Sequence, residues 1–167
     1  MKKLCTPLTE TDIAKLNAGD MVYLSGYIFC GRDAVLPQLV EEVKTGTLDP
    51  DIDLKGTVIF HTAVSPAGVG PTSSNKLEIE ASMIPLSEYA GIKMHLGKGK
   101  IKEETVRALA EKNAVYAVIP PVTALLESKT IERMCVAHRE LGMEALWRVK
   151  IDEYPVIIAA AKGRSIY

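Results

Sequence analysis

Three short polar stretches in this 167-residue chain combine glycine with groups that hold or move charge. They are Gly31-Arg32-Asp33, Gly68-Val69-Gly70-Pro71-Thr72-Ser73-Ser74 and Gly97-Lys98-Gly99-Lys100. Arg32 carries a planar fork suited to a carboxylate, and adjacent Asp33 could orient it or cap the next helix. Gly70 through Ser74 leads into a helical pattern. Free backbone amides and the hydroxyls of Thr72, Ser73 and Ser74 could therefore face one anion at a helix N-terminus. Lys98, set between Gly97 and Gly99, can bring its ammonium to a ligand that the backbone approaches closely. Each stretch also has a plain structural reading, because glycines after strands make turns and Thr-Ser-Ser before a helix makes a cap. Their shared position is the stronger signal. Each follows a predicted strand, and ligands of open α/β sheets gather outside the carboxyl ends of strands.

The elements that must position these loops follow from hydrophobic spacing. Gly19-Asp20 reads as a turn before a strand over Met21–Phe29, in which Gly26 marks a bulge or a close backbone approach. Leu36, Leu39, Val40 and Val43 recur at helical spacing, with Pro37 in the first turn where a missing amide is tolerated. Thr57–His61 reads as a short buried strand. Leu77, Ala81 and Ile84 predict a helix, with Asn75 and Glu78 placed like a capping box. A strand over Ile92–Leu96, a helix over Glu103–Lys112, a strand over Ala114–Ile119 and a short helix over Thr123–Glu127 follow. The tail reads as three strands: Ile131–Val136, Ala145–Ile151 and Val156–Ala160. Strand–helix alternation with a strand-rich end predicts one α/β domain with a mixed sheet.

Composition narrows the partners. Twenty basic and twenty-one acidic side chains leave a net charge of -1, which excludes a long phosphate-gripping footprint. A hydrophobic content of 47% argues against disorder, and 14 Val with 14 Ile supply a sheet interior. Cys5, Cys30 and Cys135 are scattered and odd in number, pointing to a reducing compartment rather than a disulfide framework. His61, His95 and His138 lie in or beside apolar stretches and read as structural, and no Cys-x-x-Cys offers a metal site. Trp147 reads as core or interface. Neither a Walker loop nor a Gly-x-Gly-x-x-Gly fingerprint occurs. With no leader-like start and no long apolar run, a soluble cytoplasmic protein is expected.

Taken in order, these segments resemble the β subunit of class I iron–sulfur hydro-lyases, the fumarase and L-tartrate dehydratase family. The resemblance rests on Gly19-Asp20-Met21-Val22-Tyr23-Leu24-Ser25-Gly26, Gly31-Arg32-Asp33, Gly70-Pro71-Thr72-Ser73-Ser74 and Gly97-Lys98-Gly99. It continues through Leu141-Gly142-Met143-Glu144-Ala145-Leu146-Trp147 and Tyr154-Pro155-Val156, so it covers nearly the whole chain. It implies a swivelling β/β/α domain and a separate α subunit whose cysteines hold a [4Fe–4S] cluster. An open iron of that cluster would act as Lewis acid on a substrate hydroxyl.

Carried over by position, the resemblance implies catalytic roles for Thr72, as base near the carbon-bound proton, and for Lys98. Arg32 and Lys98 would bind substrate carboxylates. Asp33, Gly70, Ser73, Lys76, Gly97 and Gly99 would complete the substrate-binding set. Lys76 or Lys98 would supply the cation that a Thr hydroxyl needs to act as a base. The implied reaction is reversible addition or loss of water at a small 2-hydroxy dicarboxylate such as malate/fumarate or tartrate. The implied assembly is a homo- or hetero-oligomer, with no nucleic acid and no membrane.

The chain departs from the family at five places, one of them a segment between His61 and Gly70 that is shorter than usual. Leu36 stands where His is usual and Lys76 where Arg is usual. Glu78 replaces the Asp of fumarases, and Pro120-Pro121 replaces a Gly-Gly or Ala-Gly loop. Glu78 is more like the tartrate type, whereas Leu36, Lys76, Pro120 and Pro121 motivate the alternative of a non-catalytic module of the same fold that binds a small carboxylate or another protein. A stand-alone enzyme has no complete acid, base and nucleophile set here.

Overall fold

Side-chain alternation between Met21 and Gly31 defines two apolar faces at once. Val22, Leu24, Ile28 and Cys30 enter one buried cluster, whereas Phe29 enters another. A strand with both faces buried needs cover on each side. The computed structural model describes residues 2–66, 68–69, 76–119 and 123–167, with 76–79, 123 and 124 described as backbone only.

The chain runs through β1 (Lys2–Cys5), α1 (Glu10–Ala14), β2 (Met21–Gly31), α2 (Leu36–Thr45), β3 (Val58–His61), β4 (Val64–Ser65) and β5 (Gly68–Val69). It continues through α3 (Lys76–Ala90), β6 (Met94–Gly97), α4 (Glu103–Glu111), β7 (Val115–Val118) and α5 (Thr123–Ser128). After β8 (Thr130–Ala137) come a 3-10 turn (Arg139–Glu144), β9 (Leu146–Ala161) and β10 (Arg164–Ser165).

Strands β2, β3, β6 and β7 are parallel neighbours in that order. Antiparallel β9 pairs with both β7 and β2, so these five strands form a hydrogen-bonded ring. The sheet is therefore mixed, as expected. Inside the ring lie Ile28, Cys30, Phe60, Leu96, Ala117, Val149 and Tyr154, with other residues of one cluster. On the outer face, α2 and α3 cover Phe29 and Ile59 through Leu36, Leu39 and Leu86. Met83 of α3 and Val106 and Leu109 of α4 cover Tyr116 and Ala160. Among the described residues, no helix is long and apolar enough to cross a membrane.

The two tail strands expected over Ala145–Ile151 and Val156–Ala160 are one strand, β9. Leu24 pairs with Tyr154 and Gly26 with Ile151, so Asp152 and Glu153 together oppose Ser25. This bulge resets the alternation, which keeps both Ile151 and Tyr154 pointing inward three residues apart. Polar Asp152-Glu153 looked like a break because the bulge interrupts the pattern without ending the pairing. The Ser25 hydroxyl accepts from the Glu153 amide at 2.9 Å, while Glu153 adopts φ 53°.

Gly26 satisfies both expectations made for it. It flanks the bulge, its φ is +105°, and a Cβ there would lie 2.4 Å from Thr6 Oγ1. Gly26→Ala is expected to destabilise the fold by about 2 kcal/mol or more, since strain and a clash combine. Urea unfolding of the purified variant checks this, and a loss below about 0.5 kcal/mol would contradict it.

Candidate functional site

Register places the Arg32 and Lys98 loops along one rim, whereas the stretch 68–74 starts in β5 of a separate two-stranded sheet and lies outside the described residues from Gly70 on. Cys30, Phe60, Leu96 and Ala117 form a single cross-strand row over β2, β3, β6 and β7. Because these strands are parallel, all four leave the sheet in the same direction, within one or two residues of that row. The exits carry Arg32 after β2, residues 62 onward after β3, Lys98 after β6 and Ile119 after β7. Arg32 and Lys98 thus begin two strand spacings apart, about 10 Å. Gly70, Thr72 and Ser73 lie outside the described residues, as do Pro120 and Pro121. Lys76 opens α3, and its side chain is outside the description.

The glycines at this rim have packing causes. A Cβ on Gly31 would lie 2.8 Å from Val35 Cγ1, and one on Gly97 would lie 3.1 Å from the Tyr116 hydroxyl. Gly99 has φ 77°, a left-handed conformation that favours glycine. The Tyr116 hydroxyl donates to the Gly99 carbonyl at 3.0 Å. The carboxylate of Glu80, buried on α3, accepts from the Lys102 amide at 2.9 Å and from the Thr105 hydroxyl at 2.6 Å. Glu80 thereby supplies the N-terminal cap that α4 lacks from its own N-cap side chain. The loop bearing Lys98 is held at both ends, while Lys98 itself is exposed and forms no ion pair with any described residue.

Arg32 pairs with Glu144, with Nε to Oε1 at 3.6 Å. That is beyond hydrogen-bond length, and Arg32 Nε is buried without a hydrogen-bond partner. A partly exposed pair of this kind contributes about 0–1 kcal/mol to folding, so its main consequence is geometric. Asp33 does not cap α2. The N-cap residue is Val35, without a side-chain hydrogen bond, and the Arg32 carbonyl accepts from the Val35 and Leu36 amides. Pro37 already fits the first turn, so no carboxylate cap is needed there. Leu36 is a core residue, 2% exposed and packed beneath Gly31.

Glu144 was not assigned a role from sequence, although it stands in the Gly-Met-Glu-Ala segment that carried part of the resemblance. Its 3-10 turn is well anchored. Trp147 Nε1 donates to the Gly142 carbonyl at 3.2 Å, and the Ala145 amide donates to the same oxygen at 3.1 Å. His138, in a left-handed conformation just before the turn, meets Glu42 of α2 at 2.7 Å and Glu140 at 3.4 Å. The Glu42 hydrogen bond, foremost among these contacts, raises the His138 pKa above its ordinary 6.5. Its stabilising effect is full below pH 6.5 and is lost as pH rises through the raised value. His138→Gln is therefore expected to cost about 0.3–1 kcal/mol at pH 6 and less at pH 9, measured by urea unfolding. Equal losses at both pH values would contradict this.

The other two histidines are buried, as the sequence suggested. His61 Nε2 and His95 Nδ1 lie 3.4 Å apart, and His95 Nε2 meets the Ser87 hydroxyl at 2.9 Å. His61 Nδ1 is buried without a hydrogen-bond partner. Burial pushes His61 down to about 3 and His95 well below its ordinary value, so both are neutral at pH 7. The unfolded chain takes up these protons near pH 6.5 and the folded chain does not. Stability is expected to fall as pH drops from 7 to 5. The urea midpoint should fall over that range in the native chain, and by less in His95→Gln.

The cysteines occupy three separate places: exposed Cys5, ring-interior Cys30 and partly buried Cys135. Burial pushes the Cys30 thiol far up, away from thiolate chemistry. Among the described residues, no three His, Cys, Asp or Glu side chains are grouped to hold a metal. Those residues do not fit a [4Fe–4S] cluster, which needs several converging thiolates.

Comparison with known proteins agrees with the ordered loops. Residues 2–167 match the family described as "Fumarase C-terminus". The chain belongs to this family of hydro-lyase β subunits. It is 31% identical to the "Putative L(+)-tartrate dehydratase subunit beta" of Methanocaldococcus jannaschii, over 96% of this chain and 88% of that protein. It is also 31% identical to the "L(+)-tartrate dehydratase subunit beta" of Escherichia coli K12, over 95% of this chain and 83% of that protein. Identity to the "Putative fumarate hydratase class I" of Geobacillus stearothermophilus is 28%, over 98% of this chain but 33% of that longer protein.

Proposed function

We propose that this chain is the β subunit of a class I iron–sulfur hydro-lyase that adds or removes water at a small 2-hydroxy dicarboxylate of the malate/fumarate or tartrate type. The observation that carries this reading is the shared rim. One cross-strand row brings the Arg32 and Lys98 loops to the same edge, in a chain matched to the family over residues 2–167. In this reading, residues 1–167 form one swivelling β/β/α domain in the cytoplasm. The [4Fe–4S] cluster belongs to a separate α subunit, and the beta designation of the relatives supports such a partner.

The chain's own work is to bind, orient and move a proton at carbon. Arg32 and Lys98, rooted about 10 Å apart, converge on the two carboxylates of one small dianion. Arg32 contributes a fork, and Lys98 a point charge on a braced loop. Asp33, Gly70, Ser73, Lys76, Gly97 and Gly99 are assigned to the substrate-binding set by the family resemblance, with Gly70 and Ser73 outside the described residues. Thr72 exchanges the carbon-bound proton, with Lys76 or Lys98 favouring its alkoxide. Fixed cations then stabilise negative charge developing at an enolate-like centre.

Leu36 favours one second reading, a non-catalytic module of the same fold, because it is a core residue where the family resemblance leads one to expect a histidine. Titration of the isolated chain with L-tartrate and fumarate separates the two. A half-site without its α subunit is expected to bind both only weakly, in the millimolar range. Micromolar binding would support the module and overturn the subunit reading.

A further inference from the structure

We propose that Glu144 is a positioning residue for Arg32, holding the guanidinium by its Nε edge so that the terminal fork faces a ligand carboxylate. The assignment of the ligand rests on the hydro-lyase reading; the ion pair itself does not. Glu144 Oε1 addresses Nε at 3.6 Å, and that nitrogen is buried without a hydrogen-bond partner. The two terminal nitrogens have no partner among the described residues. A guanidinium can pair bidentately with a carboxylate through such an unengaged pair of donors. A carboxylate on the Nε side restrains rotation about the long side chain without blocking that face.

The carboxylate is itself held in place. Gly142 turns the backbone with φ 61° and ψ -121°, its carbonyl is tied to Trp147 and Ala145, and His138 fastens the start of the turn to α2. Trp147 is the register partner of Cys30, two residues before Arg32, so the turn and the Arg32 exit are fixed to the same strand pair. Glu144 is half-exposed and contributes little to the core, which leaves orientation of Arg32 as its consequence.

Two readouts test this on the full chain. In the 15N-labelled chain alone, the Arg32 Nε–Hε cross-peak is assigned by its loss in Arg32→Lys. Glu144→Gln is expected to shift and broaden that cross-peak while sparing the other arginine side chains. In the complex with the α subunit, Glu144→Gln is expected to raise KM for the turned-over dicarboxylate about tenfold with kcat within about threefold. Arg32→Ala/Glu144→Gln should be no worse than Arg32→Ala, because the two residues act as one unit. An unchanged cross-peak, a lower KM, or additive losses in the double variant would overturn the assignment. If the wild-type complex turns over no dicarboxylate while the cross-peak still responds, the hydro-lyase reading falls and the positioning of Arg32 by Glu144 stands.

Discussion

Arg32→Ala is expected to lower kcat/KM of the enzyme assembled with the proposed α subunit by about 10²–10³-fold. Two charge-assisted hydrogen bonds to one carboxylate are lost together, and each such bond is worth about 1.5–3 kcal/mol. At about 1.4 kcal/mol per factor of ten, the pair accounts for that loss once partial replacement by water is allowed. The fold is expected to tolerate the change. Arg32 is partly exposed, and its only ion pair among the described residues is the 3.6 Å contact with Glu144. The melting midpoint should therefore stay within about 4 °C of the native value. Arg32→Lys restores charge without the fork and should recover only part of the rate. Steady-state kinetics check this series, and a loss below about threefold in Arg32→Ala would remove Arg32 from the substrate-binding set.

Thr72→Ala carries the other large effect, a fall in kcat of about 10²–10⁴-fold, the range for removing a positioned proton-transfer group. KM should change little, because the proposed assignment puts Thr72 at the proton on carbon and leaves the carboxylates to Arg32 and Lys98. Thr72→Ser retains a hydroxyl at the same backbone position and should retain most of the rate. The comparison is informative because a Thr hydroxyl is a weak base unless cations favour its alkoxide. Lys98→Ala should then lower kcat as well as raise KM, since one ammonium serves both roles. A near-normal rate in Thr72→Ala would dismiss Thr72 as the base.

Much of the scaffold was legible because its signals are local. Periodicity over Leu36–Val43 and Glu103–Lys112 found α2 and α4, and the β-branched run after Gly19-Asp20 found β2. β1 and α1 escaped for different reasons. Lys2–Cys5 is a short edge strand stabilised by its parallel partner rather than by its own pattern. The five-residue α1 depends on the Thr9–Asp12 capping box more than on an apolar stripe. The bulge opposite Ser25 hid the continuity of β9, because only its pairing with β2 shows that the alternation is reset.

The shared edge of the Arg32 and Lys98 loops was legible in the sequence, and the bracing of that edge was not. Arg32 and Lys98 announced themselves through glycine-flanked cations after strands. Glu144, Glu80 and Tyr116 act across sequence separations of 112, 22 and 17 residues, taken to Arg32, Lys102 and Gly99. Such contacts leave no short-range pattern. The glycines expected to admit ligand have closer causes as well, since Gly31 and Gly97 make room for Val35 and Tyr116.

The most direct measurement of the central claim is anaerobic assembly of this chain with a cluster-bearing α subunit, followed by assays of water loss from L-tartrate and L-malate and of water addition to fumarate. Turnover of at least one of these acids is expected from the assembled enzyme, and none from either chain alone. Absence of turnover of all three, with the chains associated and the cluster spectroscopically intact, would contradict it.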